Sequence, residues 1–563
     1  MELSPEKKIA GVLTPLFALR RDDDLGIGDT EALRQLIEWV AEAGFKLVQL
    51  LPINEIGGDN SPYNAISAMA IEPTTIFVAP GSPEDLSRED FSSTLKSFDL
   101  SALRHGVVKY PEARKLNRLL LEKAFGRFCN RASSERESSF RRFCEEEKAW
   151  LRHYSLFRAL MEENGERETW DRWPTPSLGT AREWLGSLPL DRQSAFAKRE
   201  NFFRYVQWIA HEQWRAIKVF AEERGVALMG DIPFGISYYS ADVFARHDEF
   251  ALDWSGGAPP EPYFKDDKFT QKWGQNWGIP LYRWDAMRAR HFDWWRERVR
   301  FVRRIFHLFR IDHVLGFYRI YAFPWRPWQN RKFLPLEWNE MLAKTGGRAP
   351  HFVPRNDSNP EECAANLRDG EEYLRIVLEE SGDARVIGED LGTVPHYVRP
   401  SLRSLGIAGF KIPQWEVHHG RVIPGSEYDR VSVATYATHD HKPLRKLWEE
   451  AIEHPTSTSG QSIDALNKIA EFAGLQPQGN PINYNRDFYP RIMEALFRSE
   501  SWIASVMITD LLARKYRFNV PGTAVLGNWT RRMNRSIAQL RASRAERKRM
   551  ALIRELLQQT GRT

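Results

Sequence analysis

The chain has 563 residues, and 80 Lys and Arg against 75 Asp and Glu leave a formal charge of +5. It is long enough for a sizeable core in one to three domains, and too near neutral to call for a nucleic-acid partner. Three cysteines without a CxxC pair, Cys129, Cys144 and Cys363, argue against a disulfide framework or zinc cluster and for a reducing compartment.

No apolar run reaches the ~18 residues of a membrane span. The start, MELSPEKKIAGVLTPL, lacks the apolar stretch of a signal peptide, so a soluble cytoplasmic protein is expected. Eight short β-rich runs are predicted as strands: Gly11–Leu19, Leu47–Ile53, Ala227–Phe234, Leu308–Val314, Ala384–Glu389, Gly409–Trp415, Ser432–Asp440 and Ser505–Leu511. Helical stretches between them imply βα units and a parallel sheet. Eight such units suggest a closed (β/α)8 TIM barrel with its site at the strand C-termini.

The spacing is uneven, so mostly helical subdomain insertions are expected within a single catalytic domain spanning 1–563. The larger is placed at 81–200. There, Gly81–Lys96 looks like an acidic loop, Tyr110–Gly165 has amphipathic helical spacing in two pieces, and Trp170–Pro189 is Trp/Pro-rich and loop-like. Gln193–Glu223 should return as a helix. A smaller insertion is placed at 324–380, with a polar linker at Pro354–Glu361. Pro443–Gly474 is a third helical stretch. The basic tail 531–563 carries Met533, Ile537, Leu540, Met550, Ile553 and Leu557 at helical spacing, and is expected as a helix packed on the barrel rather than a nucleic-acid patch. Twenty Trp residues suit either a large aromatic core or sugar stacking.

Three acids end three of the predicted strands: Asp312 in FRIDHVLGF, Glu389 in RVIGEDLGTVP and Asp440 in ATYATHDH. Asp312 with Arg310 two residues before it is either a structural ion pair or a reactive carboxylate. Three strand-end carboxylates converging on one barrel mouth suit glycoside chemistry, which needs a nucleophile and an acid/base of raised pKa. A metal reading is disfavoured for Asp312-His313 and for His439-Asp440-His441, because adjacent strand residues face opposite ways. His418-His419 is taken as an exposed loop pair. Gly26-Ile27-Gly28 lacks the rest of a dinucleotide fingerprint.

The motifs then become specific. GVLTPLFAL, LGIGD, VQLLPI, DNSPYNAISAMA, GDIPFGISYYSADVF, GAPPEPYF, WGQNWGIPLYRW, FRIDHVLGF, IGEDLG, FKIPQW, ATHD and RFNVPGTAVLGNW occur in this order. In them the chain resembles the 4-α-glucanotransferases (amylomaltases, or disproportionating enzymes) of glycoside hydrolase family 77. The resemblance implies transfer of a segment of a 1,4-α-D-glucan to the 4-hydroxyl of an acceptor glucan or glucose, by retaining double displacement and with no metal or organic cofactor. Asp312 would be the nucleophile, Glu389 the general acid/base, and Asp440 the stabiliser of the distorted sugar. Arg310 would keep Asp312 ionised. His313 and His439 would bond sugar hydroxyls, Tyr63 would stack on a sugar ring, and Ser61, Trp277 and Asn519 would line the groove. Ser61 and Asn519 lie in Pro/Gly-bearing loops, where such residues also cap turns.

Three departures from the family pattern are visible: His441 where HDN is usual, Gly388 where AED is usual, and Glu261-Pro262 where PPD is usual. The N-terminal extension of some relatives is not expected, since the first strand begins near Gly11. Two other readings use the same residues: an α-glucan hydrolase of the amylase type, and a non-catalytic glycan-binding barrel.

Overall fold

The computed structural model describes residues 3–261, 267–475, 483–521 and 527–563. All eight predicted strands form, each shorter than its apolar run. They are β1 (Ile9–Thr14), β2 (Leu47–Leu50), β3 (Ala227–Pro233), β4 (Leu308–Asp312), β5 (Arg385–Gly388), β6 (Gly409–Lys411), β7 (Ser432–Ala434) and β8 (Ile503–Met507). They pair in parallel in the order β6-β7-β8-β1-β2-β3-β4-β5. A parallel bridge between Ile387 and Ala408 brings β5 back to the approach to β6 and nearly closes the barrel.

The alternation of side chains along each strand sorts the residues. Leu47, Met229, Leu308, Ile387, Phe410, Val433 and Ile503 pack together as a compact interior cluster. Val12, Val48, Leu228, Phe309 and Val386 join the large core under the surrounding helices. Both faces are therefore covered, which explains why these runs are apolar throughout. Two residues further on, the interior file changes character: Met229 leads to Asp231, Leu308 to Arg310 and Asp312, and Ile387 to Glu389. The barrel is oily at its base and charged at its mouth.

Between β2 and β3 the chain is helical, with two corrections to the expected loops. Ser87 accepts from the Asp90 amide and starts a helix at Arg88–Leu95, while a capping box at Ser177 starts Leu178–Ser187. Both are short helices, begun by caps rather than by periodicity. The stretch expected in two pieces holds three helices, Tyr110–Arg131, Ser134–Glu146 and Lys148–Glu163, and Leu190–Glu223 leads back to the barrel.

A second sheet is absent from the sequence reading. Gln275–Tyr282, Phe250–Ala258, Ile320–Phe323 and His351–Val353 pair antiparallel in that order above the β3 and β4 ends. The Gly256-Gly257 pair lies inside one of its strands, although glycine usually marks a turn. Here both residues lie at register shifts, and a Cβ on Gly257 would meet the Gln275 carbonyl oxygen at 1.8 Å. His418 likewise lies in a two-residue hairpin, Val417–His418 against Arg421–Val422.

At the C-terminus, helices Ile537–Ala542 and Arg544–Gln559 bury Met533, Ile537, Leu540, Met550, Ile553 and Leu557. The basic residues there are partly structural. Arg562 donates to the carbonyls of Ile9, Phe497, Ser499, Ser501 and Trp502 at the base of β1 and β8. Arg532 pairs with Asp24 at 2.5 Å, both side chains fully buried. Breaking such a pair leaves the buried Asp24 carboxylate without its side-chain partner, with the Arg21 and Gly26 amides still donating to it, so Arg532→Ala should cost about 3 kcal/mol of unfolding free energy. Denaturant titration checks this; kcat should stay at the parent value because Arg532 touches none of the strand-end acids. Among the described residues, no helix is long and apolar enough to cross a membrane, and no group of His, Cys, Asp and Glu could hold a metal ion.

Candidate active site

The β4–β5 pairing brings two of the three acids together. Ile311 registers with Gly388, so the next residues, Asp312 and Glu389, emerge side by side at the mouth. The ladder continues past the strands: the Glu389 amide donates to the Ile311 carbonyl, and the Val314 amide to the Glu389 carbonyl. His313 takes φ 51°, the left-handed region that a side-chain-bearing residue enters at a cost of roughly 1–3 kcal/mol. That turn aims its amide at Glu389 Oε2, at 2.9 Å, while the Leu391 amide reaches Oε1 at 3.0 Å.

The two carboxyls have different surroundings. Asp312 Oδ1 lies 2.6 Å from an Arg310 Nη2. The other guanidinium arm of Arg310 is held by both oxygens of buried Asp231, at 2.7 and 2.8 Å. The pairing anticipated for Arg310 and Asp312 is therefore present, but Arg310 serves two acids. Glu389 is pushed up to about 7, first by desolvation and then by the charge of Asp312, against the opposing pull of Arg310. A carboxyl of raised pKa beside a second carboxyl is what acid-assisted displacement needs.

Asp440 follows β7. Against the cost of burial, His439 and Asn519 hold it well below the usual carboxylate range. His439 Nε2 is 3.3 Å from Oδ2, and Asn519 Nδ2 donates to Oδ1 at 2.7 Å. Arg517 donates to the Asp440 carbonyl and to that of Asn519. Burial opposes protonation of His439, but Asp440 outweighs it and its pKa is raised.

Tyr63 joins the two groups. Its hydroxyl donates to Asp231 Oδ2 at 2.7 Å and lies 3.3 Å from His439 Nδ1. Its ring stacks on His439 at 4.9 Å and leans on Trp529 at 5.9 Å. His313, lowered to about 4 by burial, meets half-exposed Trp277 edge-on at 4.8 Å. Nine of the ten anticipated residues thus form one connected cluster. Ser61 stands apart: its hydroxyl accepts from the Tyr63 amide at 3.3 Å, a turn contact that supports Tyr63.

The sequence reading passed over Asp231, Arg517, Trp529 and Asp390. The signal for Asp231 was an acid within the predicted strand Ala227–Phe234; the register of that strand with the next sets it against Arg310. Asp390 accepts from the Phe410 amide at 2.7 Å and from Arg399 at 3.0 Å, fastening the end of β5 to β6.

Two of the three departures have local explanations. A methyl on Gly388 would lie 3.2 Å from both Val314 and Ile407, whose branched side chains fill that space. His441 Nδ1 accepts from the Thr438 amide at 3.0 Å and lies 2.8 Å from its hydroxyl. Burial lowers His441 to about 4, and its ring meets exposed Trp415 at 4.8 Å. Pro262, with parts of GAPPEPYF and RFNVPGTAVLGNW, lies outside the described residues.

Residues 14–538 match the profile of the 4-alpha-glucanotransferase family. The 4-alpha-glucanotransferases of Chlamydia caviae and Chlamydia muridarum are 30% and 29% identical, each over 94% of this chain and 91% and 92% of their own. The fold matches that of the amylomaltase from Streptococcus agalactiae solved with acarbose, at a TM-score of 0.72, 21% identity, and 99% and 100% of the two chains.

Proposed function

Since the chain belongs to the 4-alpha-glucanotransferase family, we propose that it transfers a segment of a 1,4-α-D-glucan to the 4-hydroxyl of an acceptor glucan or glucose, with Asp312 and Glu389 as the reacting carboxyls and Asp440 as the stabiliser of the distorted sugar. The observation that carries this reading is the pairing of Asp312, held by Arg310 at 2.6 Å, with Glu389, pushed up to about 7 on the adjacent strand.

Protonated Glu389 gives its proton to the glycosidic oxygen as Asp312 attacks the anomeric carbon. The C–O bond to the leaving chain breaks and an ester bond to Asp312 forms. Glu389, now a carboxylate, takes the proton of the acceptor 4-hydroxyl. That oxygen attacks the anomeric carbon and displaces Asp312, and both groups return to their starting states. The His313 and Leu391 amides hold Glu389 in one place for both proton transfers. Asp440, acceptor-only when ionised, is placed to take hydroxyl hydrogen bonds from the distorted sugar, and His439 and Asn519 fix its orientation. Tyr63 offers a ring face beside them.

The test is a product ladder from maltotriose. Glucose together with maltopentaose and longer oligomers is the expected result. Glucose and maltose alone would mean that water is the acceptor and would replace this reading with hydrolysis.

A further inference from the structure

From Trp277 a path leads away from the site described above to a pair of aromatic rings. The backbone continues it: Gly278, at φ 85°, lies against Pro327, and a Cβ there would be 3.0 Å from the proline ring. Next to Pro327 stands Trp328, 59% exposed. Its ring is nearly parallel to that of Tyr239, at 22° and 6.5 Å. A sugar held between two rings needs about twice the ~3.5–4 Å of carbon contact, so the pair forms one stepped platform rather than a slot.

The platform is braced from below. Tyr239 meets Tyr238 edge-on at 5.0 Å, and Tyr238 stacks on buried Trp170 at 5.1 Å. Trp170 Nε1 donates to the Tyr238 carbonyl at 2.9 Å. Arg326 lies over the Tyr238 ring at 4.0 Å and donates to the carbonyls of Gly278 and Leu252, tying the platform to the second sheet. Three separate segments meet here, from the helical stretch before β3, the loop after β3, and the loop after Ile320–Phe323. A polar rim is present too: the Tyr239 hydroxyl donates to exposed Asp171 at 3.2 Å.

A core does not need a Trp at 59% exposure, and rigid bracing of an exposed ring makes it a surface for a flat apolar ligand with polar edges. A pyranose has that form, with C–H faces and an equatorial rim of hydroxyls. We propose that Trp328 and Tyr239 form a remote glucan subsite, continuous through Trp277 with the cleavage point beside Glu389. It holds the distal part of a long 1,4-α-glucan and sets chain-length preference. The proposal rests on the transferase reading for the direction of the bound chain.

The test measures binding of maltotriose, maltopentaose and maltoheptaose by calorimetry, in a Glu389→Gln background that prevents turnover, with and without Trp328→Ala or Tyr239→Ala. For maltoheptaose an affinity loss of about tenfold is expected, restored in large part by Trp328→Phe, with no change for maltotriose. Equal losses at all three lengths, or none for maltoheptaose, would overturn the subsite. Circular dichroism of Trp328→Ala should match the parent because the ring is exposed. The maltotriose ladder of the parent enzyme is independent: a length-dependent loss in an enzyme that only hydrolyses keeps the subsite and removes the transferase reading, and a transferase without that loss does the reverse.

Discussion

Glu389→Gln should lower kcat on maltotriose by about 10⁴-fold or more, since general acid catalysis and the base step both pass through this carboxyl. On α-maltosyl fluoride the first step should survive, because fluoride leaves without a proton, and a covalent adduct on Asp312 should accumulate for detection by mass spectrometry. Asp312→Asn should lose both substrates and yield no adduct. Parent kcat/KM should fall as pH rises through about 7, where Glu389 gives up the proton it must donate. On the fluoride substrate that alkaline limb should disappear from the glycosylation step. If Asp312→Asn turned over maltotriose at the parent rate, the assignment of the nucleophile would fail.

Arg310→Met should remove both activity and stability. Arg310 is buried and bridges Asp231 and Asp312. Its loss strands Asp231 inside the barrel with, among the described residues, only the Tyr63 hydroxyl as donor, at a cost of about 3–5 kcal/mol. Denaturant titration reads that cost. Adding Asp231→Asn removes the unpaired charge while keeping an acceptor for Tyr63, so most of the stability should return. Activity should not, because Asp312 still lacks its cation. Joint recovery of stability and activity would show that Arg310 serves only the fold.

His441 and Gly388 show how a departure from a family pattern is settled. In sequence, each was an unexplained difference beside an acid. In the fold, Gly388 makes room for Val314 and Ile407, and His441 accepts from Thr438 and meets Trp415. The second sheet holds a related case: Gly256 and Gly257 signal a turn when local preference is weighed alone, whereas the close approach of the Ile279 and Ile320 side chains to Gly256 and of the Gln275 carbonyl to Gly257 requires them inside a strand.

The sequence by itself determined the barrel and the addresses of its acids. Apolar runs spaced by helices specify buried parallel strands, and the two-residue period puts Arg310 and Asp312 on the inner face with Leu308. These are consequences of backbone geometry that reach only a few residues along the chain. Tertiary structure alone decided that burial raises one of these acids and that two distant aromatic rings stand together. Burial raises Glu389, the cation of Arg310 is shared between Asp231 and Asp312, and Trp328 meets Tyr239 across nearly ninety positions of sequence. Desolvation and Coulomb interactions depend on distance through space, and residue spacing in the chain does not supply that distance.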